Sequence, residues 1–250
     1  MAMTAVTALF GLSCGTAQAD GLNDLKMALT RLQGQAPLKA VLEAKTWSRQ
    51  GEGKELEEEQ GHASIVLEDS KQGLHVLYSR EMLGKLETEE RAREKDAKSK
   101  SPTVAAAKEF NTAELRNMIS AAASLARSMD KAVFKSEKAD SYNGKPARLL
   151  NFELTIDKLG EKERKYVKKF EGNLDVWIAA DGTPLASRRH HNVSWRAFMV
   201  VSGENSNDDE QVYAQVGDRL VVTRKENKNS GSGAGEKGES KVVKTLQLQS

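Results

Sequence analysis

The stretch Tyr142–Ile156, YNGKPARLLNFELTI, decides the fold. Asn143-Gly144 is a strong hairpin signal, because the two-residue turn that matches strand twist needs positive φ at both central positions. Beyond it Leu150, Phe152, Leu154 and Ile156 alternate with Asn151, Glu153 and Thr155, the period of a half-buried strand. A second unit of the same kind follows. Leu174, Val176, Ile178 and Ala180 share one face, Asp181-Gly182-Thr183-Pro184 turns the chain, and Leu185–Ser194 returns. Strands joined by hairpin-length turns predict an antiparallel sheet. No βαβ alternation occurs, so a parallel sheet is not expected.

Toward the N-terminus, Asp20 is placed to cap a helix carrying Leu22, Leu25, Leu29 and Leu32 on one side, with Gly34 as its stop. From Pro37 the period becomes alternating. Leu38, Ala40, Leu42 and Ala44 oppose Lys39, Glu43 and Lys45, which predicts a strand with one wet face. After a charged connection, Gly51 to Gln60, the candidates Ala63–Leu67 and Leu74–Tyr78 flank a turn-forming cluster. Glu81–Lys100 then holds six acids and six bases, the pattern of a solvated helix face or a mobile excursion. Asn111 and Glu114 form a capping box ahead of Leu115, Met118, Ile119, Ala122, Leu125, Ala126, Met129 and Val133, which predict one continuous amphipathic helix.

Toward the C-terminus, Asn205–Glu210 reads as a polar loop before a strand over Val212–Arg224. Asn227–Gly238, NKNSGSGAGEKG, reads as a flexible loop and Val242–Leu248 as a last strand. The sum is an α+β fold: a curved, half-barrel-like antiparallel sheet of about eight or nine strands, with an N-terminal helix and a helical insertion on one face. In residue ranges, 20–250 forms a single antiparallel-sheet domain, with the helical insertion over 82–133 and a flexible loop over 226–240.

Composition bounds the function. Lys plus Arg number 38 against 36 Asp plus Glu, a net charge of +2, so the totals lack the basic excess of a nucleic-acid binder. No run approaches the 18 apolar residues of a transmembrane helix. Met1–Ala19, MAMTAVTALFGLSCGTAQA, has an apolar core from Val6 to Leu12 and ends on Ala17-Gln18-Ala19, a small-x-small cleavage pattern. It reads as a signal peptide lacking the usual basic start, with export to the periplasm and cleavage at Ala19. The single cysteine, Cys14, lies inside it. Gly11 stands where a lipidation signal prefers a large aliphatic residue, which favours soluble export over anchoring.

Signals for catalysis are weak. His190 and His191 are neighbours on a predicted strand and point to opposite faces, so no metal site is expected from them. Gly233, Gly235 and Gly238 fit G-x-G-x-x-G, yet the tract leads into a strand rather than a helix, which removes the helix N-terminus a pyrophosphate needs. No nucleophile elbow or P-loop occurs. The expectation is a non-enzyme without a cofactor or metal. Arg188-Arg189-His190-His191 and Lys158–Lys169 read as solvated segments.

Three segments carry a resemblance. One is the helix Leu22–Leu32 running into the strand Leu38–Ser48. Another is the glycine-led Gly61-His62-Ala63-Ser64-Ile65-Val66-Leu67, and the third the strand, Asp-Gly turn and return strand of Asn173–Leu185. In this order of elements the chain resembles the periplasmic lipoprotein-carrier (LolA-like) fold superfamily. That resemblance implies a noncatalytic carrier or sensor, with an apolar cavity closed between a curved sheet and its helices.

The apolar stripe of the long helix fits either ordinary core or one wall of such a cavity, since both bury the same face. In the cavity reading the lining comprises Leu42, Met118, Ile119, Leu125, Met129, Phe152, Leu154, Val176 and Ile178, which would desolvate the alkyl chains of a lipid, lipoprotein or other apolar ligand. In the alternative, the chain is a structural or protein-interaction module of the cell envelope with a filled core, binding a partner through its wet sheet face or its charged excursion.

Overall fold

A computed structural model describes residues 20–156, 164–197, 201–233 and 236–249. The leader Met1–Ala19, and Cys14 within it, lie outside the described residues, as does 158–163 of the basic tract Lys158–Lys169. In chain order the elements are α1 (Gly21–Arg31), β1 (Leu38–Gln50), β2 (Glu57–Ser70), β3 (Gly73–Leu77), α2 (Arg80–Lys95), α3 (Pro102–Ala107), α4 (Thr112–Ile119), α5 (Ala121–Asp130), and then seven strands. These are β4 (Ala132–Tyr142), β5 (Lys145–Leu154), β6 (Val167–Ile178), β7 (Pro184–Ala197), β8 (Val201–Val216), β9 (Arg219–Gly233) and β10 (Glu236–Leu248).

The fold class is the expected one, an open antiparallel sheet with helices on one face, although the sheet has ten strands. Their order is β3-β2-β1-β10-β9-β8-β7-β6-β5-β4, which leaves β3 and β4 as its edges. Every neighbouring pair is antiparallel, and β1 meets β10 in register, Leu42 opposite Leu246. The first and last strands are thus joined in the interior of the sheet. At the deciding turn, Asn143 (φ 50°) and Gly144 (φ 75°) both adopt the left-handed conformation that the hairpin requires.

The helices begin where short polar side chains satisfy free amides. Asp20 Oδ1 accepts the Asn23 N–H at 3.0 Å, Ser79 Oγ the Met82 N–H at 3.1 Å and Asn111 Oδ1 the Glu114 N–H at 3.0 Å. Helix α3 packs on β1 and β2, α4 and α5 pack on β9, and α1 packs against α5, β5 and β7. The approach of α3 explains the glycine that opens the second strand motif. A Cβ on Gly61 would lie 2.2 Å from the Pro102 carbonyl oxygen.

Two expectations change, and a third is decided between its alternatives. The stripe Leu115–Val133 is not one helix: Ser120, at φ −145° and ψ 66°, separates α4 from α5, and Val133 belongs to β4 with 42 % exposure. The alternation of apolar residues survives this break because both short helices turn the same face to the sheet. The charged segment after Tyr78 is a formed helix, α2, supported by the i,i+4 pairs Lys85–Glu81 and Arg91–Glu87.

The largest correction concerns the polar loops. Asn205–Glu210 lies within β8, and the flexible loop expected over 226–240, with Asn227–Gly238 at its centre, lies along β9 and β10 over its described residues. Neighbouring strands impose the extended form on residues of low strand propensity. Asn205 Nδ2 donates to Asn229 Oδ1 at 2.8 Å across β8 and β9. The Trp195 indole lies against Gly203 and Gly233, where added Cβ atoms would stand 2.6 and 3.0 Å from its ring. A large ring covering backbone that glycine leaves bare shields two strands at once.

Candidate functional site

The helix side of the sheet is built from inward-facing strand positions. Leu42 and Ala44 on β1 pair across with Leu246 and Lys244 on β10, and Leu150 and Phe152 on β5 pair with Val176 and Leu174 on β6. The facing helices supply Leu115, Met118 and Ile119 from α4 and Ala122, Leu125 and Met129 from α5. One continuous apolar cluster results.

All nine residues expected to line a cavity join this cluster. Leu42, Val176 and Ile178 are fully buried, Met118, Ile119, Leu125, Met129 and Phe152 are at most 7 % exposed, and Leu154 packs at its margin half-buried. The seam between helices and sheet is closed. Clefts of about 810, 790, 440 and 330 Å³ lie elsewhere and are lined by other residues.

Along one edge of the seam runs a charged cluster that sequence reading missed. Glu114 accepts hydrogen bonds from Lys225 Nζ at 2.8 and 3.1 Å and from Lys244 Nζ at 3.0 Å. Lys244 also pairs with Glu109 at 2.8 Å, and Lys225 lies 3.6 Å from Asp209. Lys244 and Asp209 are each 5 % exposed. Burial opposes the charge on Glu114, yet the two ammonium groups outweigh it and hold its carboxyl below the ordinary value of 4.5. Burial likewise opposes charge on Lys225, and Asp209 and Glu114 outweigh it, raising its pKa above 10.5. Both groups are therefore ionised at neutral pH.

This cluster fastens α4 to β9 and β10 beside the apolar surface, since Lys244 and Leu246 are next-but-one neighbours on one strand face. The sequence signal was Lys244 interrupting the apolar series of Val242 and Leu246. Glu114 departs from the capping-box expectation too: its amide is capped by Asn111, but its carboxylate reaches the lysines. A second charged group holds α1, where Arg148 bonds Asp24 at 2.8 Å and Glu137 at 3.4 Å, while Glu137 accepts the Gly21 N–H at 2.9 Å. The histidine pair diverges as its strand position implies. His190 Nδ1 meets Asp208 at 2.9 Å, and His191 stacks on Phe170 across the sheet.

Two classes of element therefore define the site, an all-antiparallel sheet and a helical cover with an apolar seam between them. No family model matches the chain, and no curated protein matches it. Among solved structures it is similar to a LolA superfamily protein from Nitrosomonas europaea, with 9 % identity and a TM-score of 0.26 over 92 % of this chain and 94 % of that one. The reading of the site rests on its own geometry. Among the described residues, no helix is long and apolar enough to cross a membrane.

Proposed function

We propose that the chain is a non-catalytic binding protein that takes up the alkyl part of a lipid, lipoprotein or similar ligand between sheet and helices. The observation that carries this reading is the seam itself. Leu42, Phe152, Leu154, Val176 and Ile178 on the strands and Met118, Ile119, Leu125 and Met129 on the helices belong to one apolar cluster. A helical cover made of short segments broken at Ser120 gives such a seam a means of opening, and its two methionines adapt to irregular shapes. Each methylene transferred into the seam contributes about 0.8 kcal/mol, against which the helix–sheet contacts must be given up. Export, through the leader read from Met1–Ala19, belongs to the same proposal.

Native mass spectrometry of the purified protein, alone and after incubation with oleate or phosphatidylglycerol vesicles, tests it. Stoichiometric adducts that Leu125→Asp abolishes in a folded variant are expected. An unchanged mass under all conditions would overturn the reading. That result would instead favour a structural or protein-interaction module, for which the burial of the seam residues from solvent is the supporting observation.

A further inference from the structure

The largest of these clefts, about 810 Å³, lies on the opposite face of the sheet. Register places it there. On the helix side stand Asp209, Lys225 and Lys244, which converge on Glu114 of α4. Counting along the same strands without an intervening bulge, Ser206, Ser230 and Glu239 face away from α4. Asn192 pairs with Ser206 and with Glu171, so the same face continues across β7 and β6.

The floor of this cleft is dense in hydrogen-bonding groups, Asn192, Ser194, Ser206, Ser230 and Ser232 from three adjacent strands, and carries one charge, Glu204, between Ser194 and Ser232. Each hydroxyl both donates and accepts, and each amide offers two donors beside an acceptor. Charges at the margin are largely matched to each other, with Lys169 on Glu171 at 2.8 Å and Lys237 on Glu52 at 2.6 Å. The other two charged residues of the margin, Arg49 and Glu239, stand opposite each other across β1 and β10.

On this face the strands carry Ser and Asn where strands ordinarily carry β-branched and aromatic residues. The volume lies in the range of small-molecule sites. Its composition selects among ligands. Four carboxylates disfavour a polyphosphate chain. Leu56 and Val193 supply too little apolar surface for an acyl chain.

We propose that the helix-free face binds a neutral, polyhydroxylated ligand, an oligosaccharide, in the cleft floored by β7, β8 and β9. Its hydroxyls would exchange water for the serine and asparagine side chains, and further along the chain they would donate to the carboxylates and accept from the ammonium groups of the margin. The site is independent of the apolar seam, since the sheet separates the two.

A glycan array probed with the intact protein, followed by titration calorimetry with maltohexaose, cellohexaose and chitohexaose, tests the proposal. Retention of at least one neutral glycan class is expected, and Ser206→Trp, which fills the cleft from an outward-facing position, should weaken it by roughly tenfold or more. Should Ser206→Trp lower the thermal midpoint, the milder pair Ser194→Ala and Ser232→Ala replaces it, with a loss of roughly threefold to tenfold expected. No retained glycan, or equal retention by the cleft variants, would overturn the proposal. Oleate uptake measured on the same variants should stay at the wild-type level, which keeps this result separate from the fate of the apolar seam.

Discussion

Glu114 and Lys225 stand 111 positions apart in sequence and meet at 2.8 Å, tying the first turn of α4 to the middle of β9. Lys244 joins them from the neighbouring strand at 3.0 Å. Glu114 thus serves two buried or half-buried ammonium groups at once, and its loss would leave each with a single carboxylate, Glu109 for Lys244 and Asp209 for Lys225. Breaking a buried pair by removing one member is costly, of the order of 3 kcal/mol. Glu114→Ala is therefore expected to lower stability by about that amount, roughly 6–12 °C in thermal midpoint for a chain of this size. Urea unfolding of Glu114→Ala beside Glu114→Ala/Lys225→Met checks it, and the double variant should recover part of the loss. Equal stability of wild type and Glu114→Ala would show that the cluster does not fasten the helix.

The same cluster sets a pH dependence. Glu114 titrates below its ordinary value in the folded protein, so the stabilisation it brings is complete above about 4.5 and drains as the pH falls through the lowered folded value. Glu226 acts in the same direction, pulled down to about 2 by hydrogen bonding to Lys241 and then Lys228. Lys225 acts on the other limb: its contribution is complete below 10.5 and drains as the pH rises through the raised value. Stability measured by urea unfolding should hold between these limbs and fall on either side. Glu114→Gln should show a shallower acid limb than wild type, and parallel curves would count against the assignment.

Gly61 and Pro102 make a third prediction. With a Cβ at Gly61 only 2.2 Å from the Pro102 carbonyl oxygen, Gly61→Val forces α3 away from β2. A cost of about 1–3 kcal/mol is expected from overpacking. Hydrogen exchange should locate it, with protection lost at the amides of 104–107 while β8 and β9 keep theirs.

Trp195 covers Gly203 and Gly233 on β8 and β9. Trp195→Ala exposes those backbones and removes the ring that joins three strands. Faster hydrogen exchange is expected at Asn205 and Gly231, with the helix-covered core at Leu220–Val222 unchanged. Uniform exchange in both proteins would show that the asparagine ladder alone holds these strand ends.

Leu42 is fully buried between Ile65 and Leu246. Leu42→Ala should cost about 2–5 kcal/mol, as for other large-to-small changes in a core, whereas Ser230→Ala on the exposed face should fall within roughly 0.5 kcal/mol of wild type. Thermal unfolding of the two variants side by side reads the contrast.

Much of this architecture was written locally. The Asn143-Gly144 turn, the alternation from Leu38 to Ala44 and from Leu174 to Ile178, and the caps at Asp20 and Asn111 are short-range features, and short-range chemistry dictates them. The nine apolar residues were legible for the same reason, because periodicity marks the face that turns inward. It does not fix what that face meets. Whether the seam closes on itself depends on how α4 and α5 seat against β9, which no pattern within a single element encodes.

Tertiary structure alone decided the rest. Asn205–Glu210 and Asn227–Gly233 have a loop composition and become strand because β7, β8, β9 and β10 present paired backbone groups on both sides. Glu114 reads as a capping-box residue, and nothing local ties it to Lys225 or Lys244 until folding brings carboxylate and ammonium together from positions 111 and 130 residues apart. Local sequence sets the period of each element and the face it buries. Which distant groups must satisfy one another is settled only when the sheet joins its first strand to its last, β1 to β10, and leaves buried charges and backbone amides no water to turn to.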